Sequence, residues 1–255
     1  DGGIVTDILV KEGQVVNEGQ ILLQIDPTRF EASVNENRSL YLSLTAKAAR
    51  LRAIGEGKAF IPPPEVVTED PKTAQEEQKL YETATSELNA QVSIARQQYE
   101  QRSQEQAEAI ARQRQATNAY ESSQKELSVT KPLLATGAVS EVELLRLERD
   151  VSRFKGERDV ATAQIARSGA AMSEAMRKIQ EVELAVRNNA SKELSETMAR
   201  LNSLIQSSTG LADKVKQTAI RSQVRGTVKR LLVNTVGGVV QPGRDVIEVV
   251  PSDGK

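Results

Sequence analysis

The feature that most limits this chain is the stretch where helix breakers are missing. Of its eight prolines only Pro132 lies between Lys72 and Gln241, and between Lys58 and Thr209 the only glycines are Gly137, Gly156 and Gly169. Helix interiors exclude proline because it lacks an N–H and clashes with the preceding turn. They disfavour glycine because ordering it costs backbone entropy. The middle is therefore predicted to be a few very long helices. The ends have the opposite character: residues 1–26 contain four glycines and residues 226–254 contain five, as short strands joined by tight turns require. Composition agrees. Aromatic residues make up only 3% of the 255, with no Trp, too few rings for one compact core of that length.

Composition also removes function classes. With no His and no Cys, most catalytic metal sites, thiol nucleophiles and His-dependent triads are excluded, as are disulfides. A net charge of −1 supplies no basic field for nucleic acid. No apolar run reaches the roughly 18 residues of a membrane span, and no signal peptide is recognised. The acidic residues Glu76, Glu77, Glu105 and Glu108 lie on helix surfaces among Lys and Arg and read as a solvated face. Gly237-Gly238 lacks the Lys and the following helix of a phosphate loop and reads as a strand turn. No catalytic residue, cofactor site or metal site is expected, and the chain is not expected to be an enzyme.

The two ends resemble each other. GIVTDILVKEGQVVNEGQILLQID (residues 3–26) aligns with GTVKRLLVNTVGGVVQPGRDVIEVV (residues 226–250). Gly3 matches Gly226, Val5 matches Val228, Ile8 matches Leu231 and Val10 matches Val233. After a one-residue insertion Gly13 matches Gly237, Val16 matches Val240, Gly19 matches Gly243 and Ile25 matches Val249. Each half is too short for its own core, so the two are expected to pair as one small β-sandwich with the rest of the chain projecting from it.

Between the halves, Asp26-Pro27 and Asp70-Pro71 each read as an N-cap followed by proline at a helix start. The first helix is expected to run to about Gly55. GEGKAFIPPPEVVTEDPK, with three consecutive prolines, reads as an extended rigid connection. A second helix is expected over about 71–135 and a third over 141–216. In the third, positions 144, 147, 151, 154, 158, 161, 165, 168, 172, 175, 179, 182 and 186 form a coiled-coil stripe with only Arg158 and Ser168 polar. The partner stripe, 92 to 134 on the second helix, is richer in Ala and Gln. At about 1.5 Å per residue, the first two helices together outrun the third, so a short three-helix overlap is expected near the base, with the proline-rich linker folded back across it.

The reversal between the long helices lies in TKPLLATGAVSEVELLRL, residues 130–147. Gly137 suits a left-handed helix stop. Ser140 and Glu143 have the spacing of a capping box, and Val139 and Leu144 that of a hydrophobic staple. Leu133 and Leu134 sit at the turn, where apolar side chains suit an interface anchor.

On these residues the chain resembles the periplasmic adaptors, or membrane fusion proteins, of bacterial export, and its extra helix and proline-rich linker resemble the HlyD-like branch serving type I secretion. The resemblance implies a mainly α fold with a small β domain: a long antiparallel coiled-coil hairpin plus one extra helix, inserted between the halves of a lipoyl/biotinyl-like sandwich. The divisions expected are 1–26 and 217–251 for the split β domain, 27–54 for the first helix, 55–70 for the linker, and 71–216 for the hairpin with its tip at 133–140. The resemblance further implies an adaptor bridging an inner-membrane ABC transporter and a TolC-like outer-membrane channel, a secreted protein as cargo, and hexameric self-association. The implied location is the periplasm. A transmembrane helix before the first half and a β-barrel after the second are implied, which makes the chain a fragment of its parent. The partner-binding residues implied are Lys131, Leu133, Leu134, Gly137, Ser140, Glu143 and Leu144. Related tips carry an Arg–Leu–Ser/Thr motif. Leu133 and Ser140 match it, while Val129 stands at the Arg position and Lys131, Arg146 or Arg149 is left to supply the charge.

Three other readings follow from the same residues. A lipoyl or biotinyl carrier needs its modified Lys at the joint between the halves, where this chain has Asp26-Pro27 and the helical insertion. An efflux-pump adaptor shares the architecture but usually has a plain two-helix hairpin. A coiled-coil scaffold predicts no pairing between residues 1–26 and 220–250.

Overall fold

The computed structural model describes residues 2–252; Asp1, where the expected N-terminal β segment begins, lies outside them, as do residues 253–255. The elements are β1 (Gly3–Ile8), β2 (Val15–Val16), β3 (Ile21–Ile25), α1 (Thr28–Glu56), α2 (Pro64–Glu69), α3 (Pro71–Thr130), a 3-10 turn (Lys131–Leu134), α4 (Glu141–Gln217), β4 (Ala219–Arg221), β5 (Gly226–Leu231), β6 (Val239–Val240) and β7 (Ile247–Pro251). The chain divides into two compact units: Asp1–Ala53, Lys58–Lys79 and Ala190–Lys255 form one, and Ile54–Gly57 with Leu80–Asn189 form the other.

In the first unit the two chain ends make one β structure. A four-stranded sheet runs β4-β3-β1-β6 and a three-stranded sheet runs β2-β5-β7. Each half gives its short second strand to the other half's sheet. Gly3 pairs with Val240 and Ile4 with Val239; correspondingly, Val16 pairs with Gly226 and Val15 with Thr227. The aligned residues are thus related by the fold as well as by sequence. Neither half completes a sheet alone, and the pairing that a bare coiled-coil scaffold would lack is present. The turn glycines match as well: Gly13 and Gly237 have φ of 84° and 88°, Gly19 and Gly243 of 78° and 76°, values that only glycine adopts at little cost. Two apolar clusters fill the sandwich. One joins Val5, Leu23 and Ile25 to Val240, the other Val10, Val16 and Leu22 to Val228, and Ile247 packs against both.

Four helical stretches continue this unit: α1, α2, the start of α3 and the end of α4. Asp26 accepts hydrogen bonds from the Thr28 N–H and hydroxyl at the start of α1. Within the unit α1 runs antiparallel to α4, with Asn37 near Ser208 and Arg52 near Met198. It runs parallel to the start of α3, where Ala46 packs with Ala74 and Arg50 pairs with Glu77. The helix passes through Gly55 and stops at Gly57, whose φ is +66°. The linker is not extended throughout: Pro64 opens the six-residue α2, because proline at a first helical position gives up no hydrogen bond and its fixed φ already suits a helix.

In the second unit α3 and α4 lie antiparallel. Tyr120 stacks under Arg158, Gln113 bonds Thr162, and Gln106 approaches Gly169; the midpoint of each pair lies within two residues of Gly137. All the predicted stripe positions on α4 are buried or half-buried, and all those on α3 except Arg102. Most of the buried seam residues are small: Ala95, Ala109, Ala116 and Ser123 on α3 and Ala161, Ser168 and Ala175 on α4, with Val92 and Leu144 the larger ones. Arg158 holds its seam position by lying 4.6 Å from the Tyr120 ring centroid, which keeps its charge on an aromatic face while its stem packs.

Candidate interaction site at the helical turn

The turn between α3 and α4 is built from two caps in succession. After Thr130 the chain tightens into the 3-10 turn, where Pro132 lacks an N–H but keeps a helical φ. Gly137 then takes φ of +73°. Its N–H donates to the Leu134 carbonyl at 3.1 Å, and the Ala138 N–H donates to the Leu133 carbonyl at 3.3 Å. These are the two bonds of a Schellman stop, which satisfy carbonyls the helix end would leave open. Three residues later Ser140 opens α4: its Oγ accepts the Glu143 N–H at 3.3 Å. Of the capping box's two reciprocal bonds, only this one is present among the described residues. Glu141 and Glu143 lie in the first turn of α4, where negative charge is favoured by the helix dipole.

The predicted residues divide by position. Lys131, Leu133, Ser140 and Glu143 are exposed, and so is Gly137 at the bend; Leu134 is half-buried. Leu144 is only 9% exposed and points into the hairpin with the rest of the α4 stripe. The turn therefore leaves Lys131, Leu133, Gly137, Ser140 and Glu143 exposed and Leu144 buried.

Three further apolar side chains near the turn lie outside the predicted partner-binding set. Val142 is 68% exposed, Leu145 63% and Val129 63%. Leu133 joins them at 42%. Val142 and Leu145 are one helical turn apart on the outer side of α4 and so share a face. Their signal in the sequence is that they are large apolar residues off the stripe, beside a turn, where a hairpin needs none for its own seam. Lys131, Arg146 and Arg149 are exposed, as are Glu141, Glu143 and Glu148, so charge of both signs lies near the exposed apolar residues of the turn. Such a surface suits helix-end contact with a protein partner. Groups of three or more Asp or Glu residues placed to hold a metal ion do not occur among the described residues. No helix of the described residues is long and apolar enough to cross a membrane.

Comparison with known proteins follows this architecture. The family model described as AprE, long alpha-helical hairpin, matches residues 30–214. The type I secretion system membrane fusion protein PrsE of Rhizobium meliloti is 29% identical over 264 aligned positions, which cover 98% of this chain and 58% of PrsE. The alkaline protease secretion protein AprE of Pseudomonas aeruginosa is 25% identical, with 98% of this chain and 60% of that protein covered. The chain thus spans less than two thirds of the length of these relatives. The crystal structure of the soluble domain of LipC, a membrane fusion protein of a type I secretion system, has a TM-score of 0.91 at 22% identity, covering 98% of this chain and 97% of that one. At that identity the likeness establishes the shared fold.

Proposed function

This chain belongs to the family of AprE-type long α-helical hairpin proteins, and from that premise we propose that it is the periplasmic adaptor part of a type I secretion system. In this reading it bridges an inner-membrane ABC transporter and a TolC-like outer-membrane channel for a secreted protein. The role is mechanical and non-enzymatic, with the transport energy supplied by the transporter. Copies pack as a hexamer in the assembled machine, and the parent protein is held at the inner membrane. The β domain (1–26 and 217–251) serves as the base, residues 27–54 as the first helix and 55–70 as the linker. The hairpin (71–216) presents the tip at 133–140 to the channel.

The observation that carries the reading is the family match across residues 30–214. The relatives named as secretion proteins support it. The tip assignment is supported by the exposed apolar group Val129, Leu133, Val142 and Leu145 around a doubly capped turn. Each of Leu133→Asp, Val142→Asp and Leu145→Asp in the parent protein is expected to abolish export of its cargo while helicity and thermal stability stay unchanged. Secretion at the parental level in all three, with normal protein levels, would refute channel docking through this surface. Loss of an ABC exporter from affinity-purified complexes would refute the type I assignment as a whole.

A further inference from the structure

Residues 58–70 cross the face of α1 inside the first compact unit, and their attachment is uneven. Phe60 and Val66 are buried, Val66 completely, and Val66 packs in a cluster with Leu42, Ala46 and Ala74 that has Tyr41 at its edge. Much of the remaining attachment is polar and exposed. Arg38 of α1 donates to the two carboxylate oxygens of Glu69 at 2.9 and 2.6 Å and lies 3.6 Å from Glu65. Its guanidinium also sits 5.0 Å from the Tyr41 ring centroid, and the Tyr41 hydroxyl donates to Glu65 at 3.3 Å. The outer side of the segment shows Ile61 and Val67 to solvent. A helix of six residues has no stability of its own, so α2 exists only while these contacts hold it.

The neighbouring attachment is of a different kind. Asp70 caps α3 by accepting the Thr73 N–H at 3.3 Å and the Thr73 hydroxyl at 2.6 Å. Immediately beyond, Arg50 of α1 pairs with Glu77 at 2.5 Å, with both side chains largely buried. A weakly anchored segment therefore ends at a capped helix start, next to a sheltered ion pair.

We propose that residues 58–70 form a strap, latched by Arg38, that opens as a unit while the β sheets and the α1–α3 contact at Arg50 and Glu77 stay closed. Segments with few buried contacts open locally at less free energy than the whole fold. Exposed ion pairs are screened by salt, whereas the Val66 anchor is not. The strap is therefore a charge-operated latch over the apolar face made by Leu42, Ala46 and Ala74.

Hydrogen exchange of the whole chain, read by mass spectrometry at low and high salt, tests this. Peptides within 58–70 should exchange roughly fivefold faster at high salt, the range expected for an exposed ion-pair cluster. Arg38→Met should give the same acceleration at low salt and abolish the salt effect, and the charge exchange Arg38→Glu with Glu69→Arg should restore it. Val66→Ala should open the strap at both salt levels. Peptides from β1 to β3 and β4 to β7 should not change in any of these. Unchanged protection of 58–70 in wild type at high salt would overturn the proposal. So would an equal rise in exchange across the strap and the sheets, since the strap would then have no opening of its own.

Discussion

Replacing Leu23 with alanine tests the central claim that both chain ends share one core. Leu23 is completely buried. On β3 it lies opposite Ile8 of β1 on one side and Ile220 of β4 on the other. Truncation removes three carbon groups from this position, at about 0.8 kcal/mol each, or about 2.4 kcal/mol of lost burial. The space left cannot close fully, because Val5, Ile25 and Val240 around it belong to strands held by their own ladders. The cavity term raises the cost to about 3–4 kcal/mol. That is a factor of roughly several hundred in the opening equilibrium. The assay is native-state hydrogen exchange with urea denaturation. The decisive readout lies in β5 and β7, more than 200 residues along the chain from the substitution. If the halves are one cooperative sandwich, amides of Thr227, Val228 and Val249 lose protection by the same factor as those of β1. Leu9→Ala, at a position 54% exposed in the same half, should change stability by less than about 0.5 kcal/mol. Loss of protection confined to residues 3–25, with β5 and β7 unaffected, would refute the shared core.

Two glycines should respond to alanine in opposite directions. At Gly226 a Cβ would run into the backbone carbonyl of Val250 on the paired strand, which cannot swing aside, so Gly226→Ala should cost about 2–3 kcal/mol; at Gly210, inside α4 with open space around it, Gly210→Ala should stabilise by about 0.5–1 kcal/mol, both read by denaturant melts. Acid should weaken α1 and α3 at their starts and α2 at its end. The Thr28 hydroxyl and N–H hold Asp26 below its ordinary value of 3.8, Arg38 holds Glu69 below 4.5, and Thr73 holds Asp70 below 3.8. Because these folded-state values are depressed, the stabilisation is complete above the ordinary values. It should fade as pH falls from there through the depressed ones, seen as loss of helix by circular dichroism beginning near pH 4.5 and not at pH 6.

The long helices were legible because nothing in the sequence competes with them. From Lys72 to Thr130 and from Glu141 to Gln217 proline is absent, and from Leu144 to Val186 the stripe keeps one period. The stops were legible where glycine has a single role, as at Gly137. At Gly55 and Gly57 two glycines stand close together, and only the backbone shows that Gly57 carries the positive φ while Gly55 stays helical. Proline was the ambiguous letter. Three in a row suggest an extended chain, but the last, Pro64, opens α2, and the deciding fact is the burial of Val66 against α1. That contact lies between segments whose separation in sequence no local pattern reports.

The alignment of the two ends carried more than a likeness of halves. It placed Gly3 with Gly226 and Val16 with Val240, and in the fold Gly3 pairs with Val240 while Val16 pairs with Gly226. A repeat whose matched residues pair crosswise is a strand exchange, and that could have been inferred once each half was seen to be too short for its own core. The exposed group at the turn follows from similar reasoning applied in reverse. Once the stripe through Leu144, Leu147 and Val151 accounts for the hairpin's own packing, Val142 and Leu145 have no role inside it. Polar side chains at both positions would serve a free helix end better, since apolar ones gain nothing from solvent. In the proposed adaptor reading a partner covers them, and a substitution there should alter binding without altering the fold.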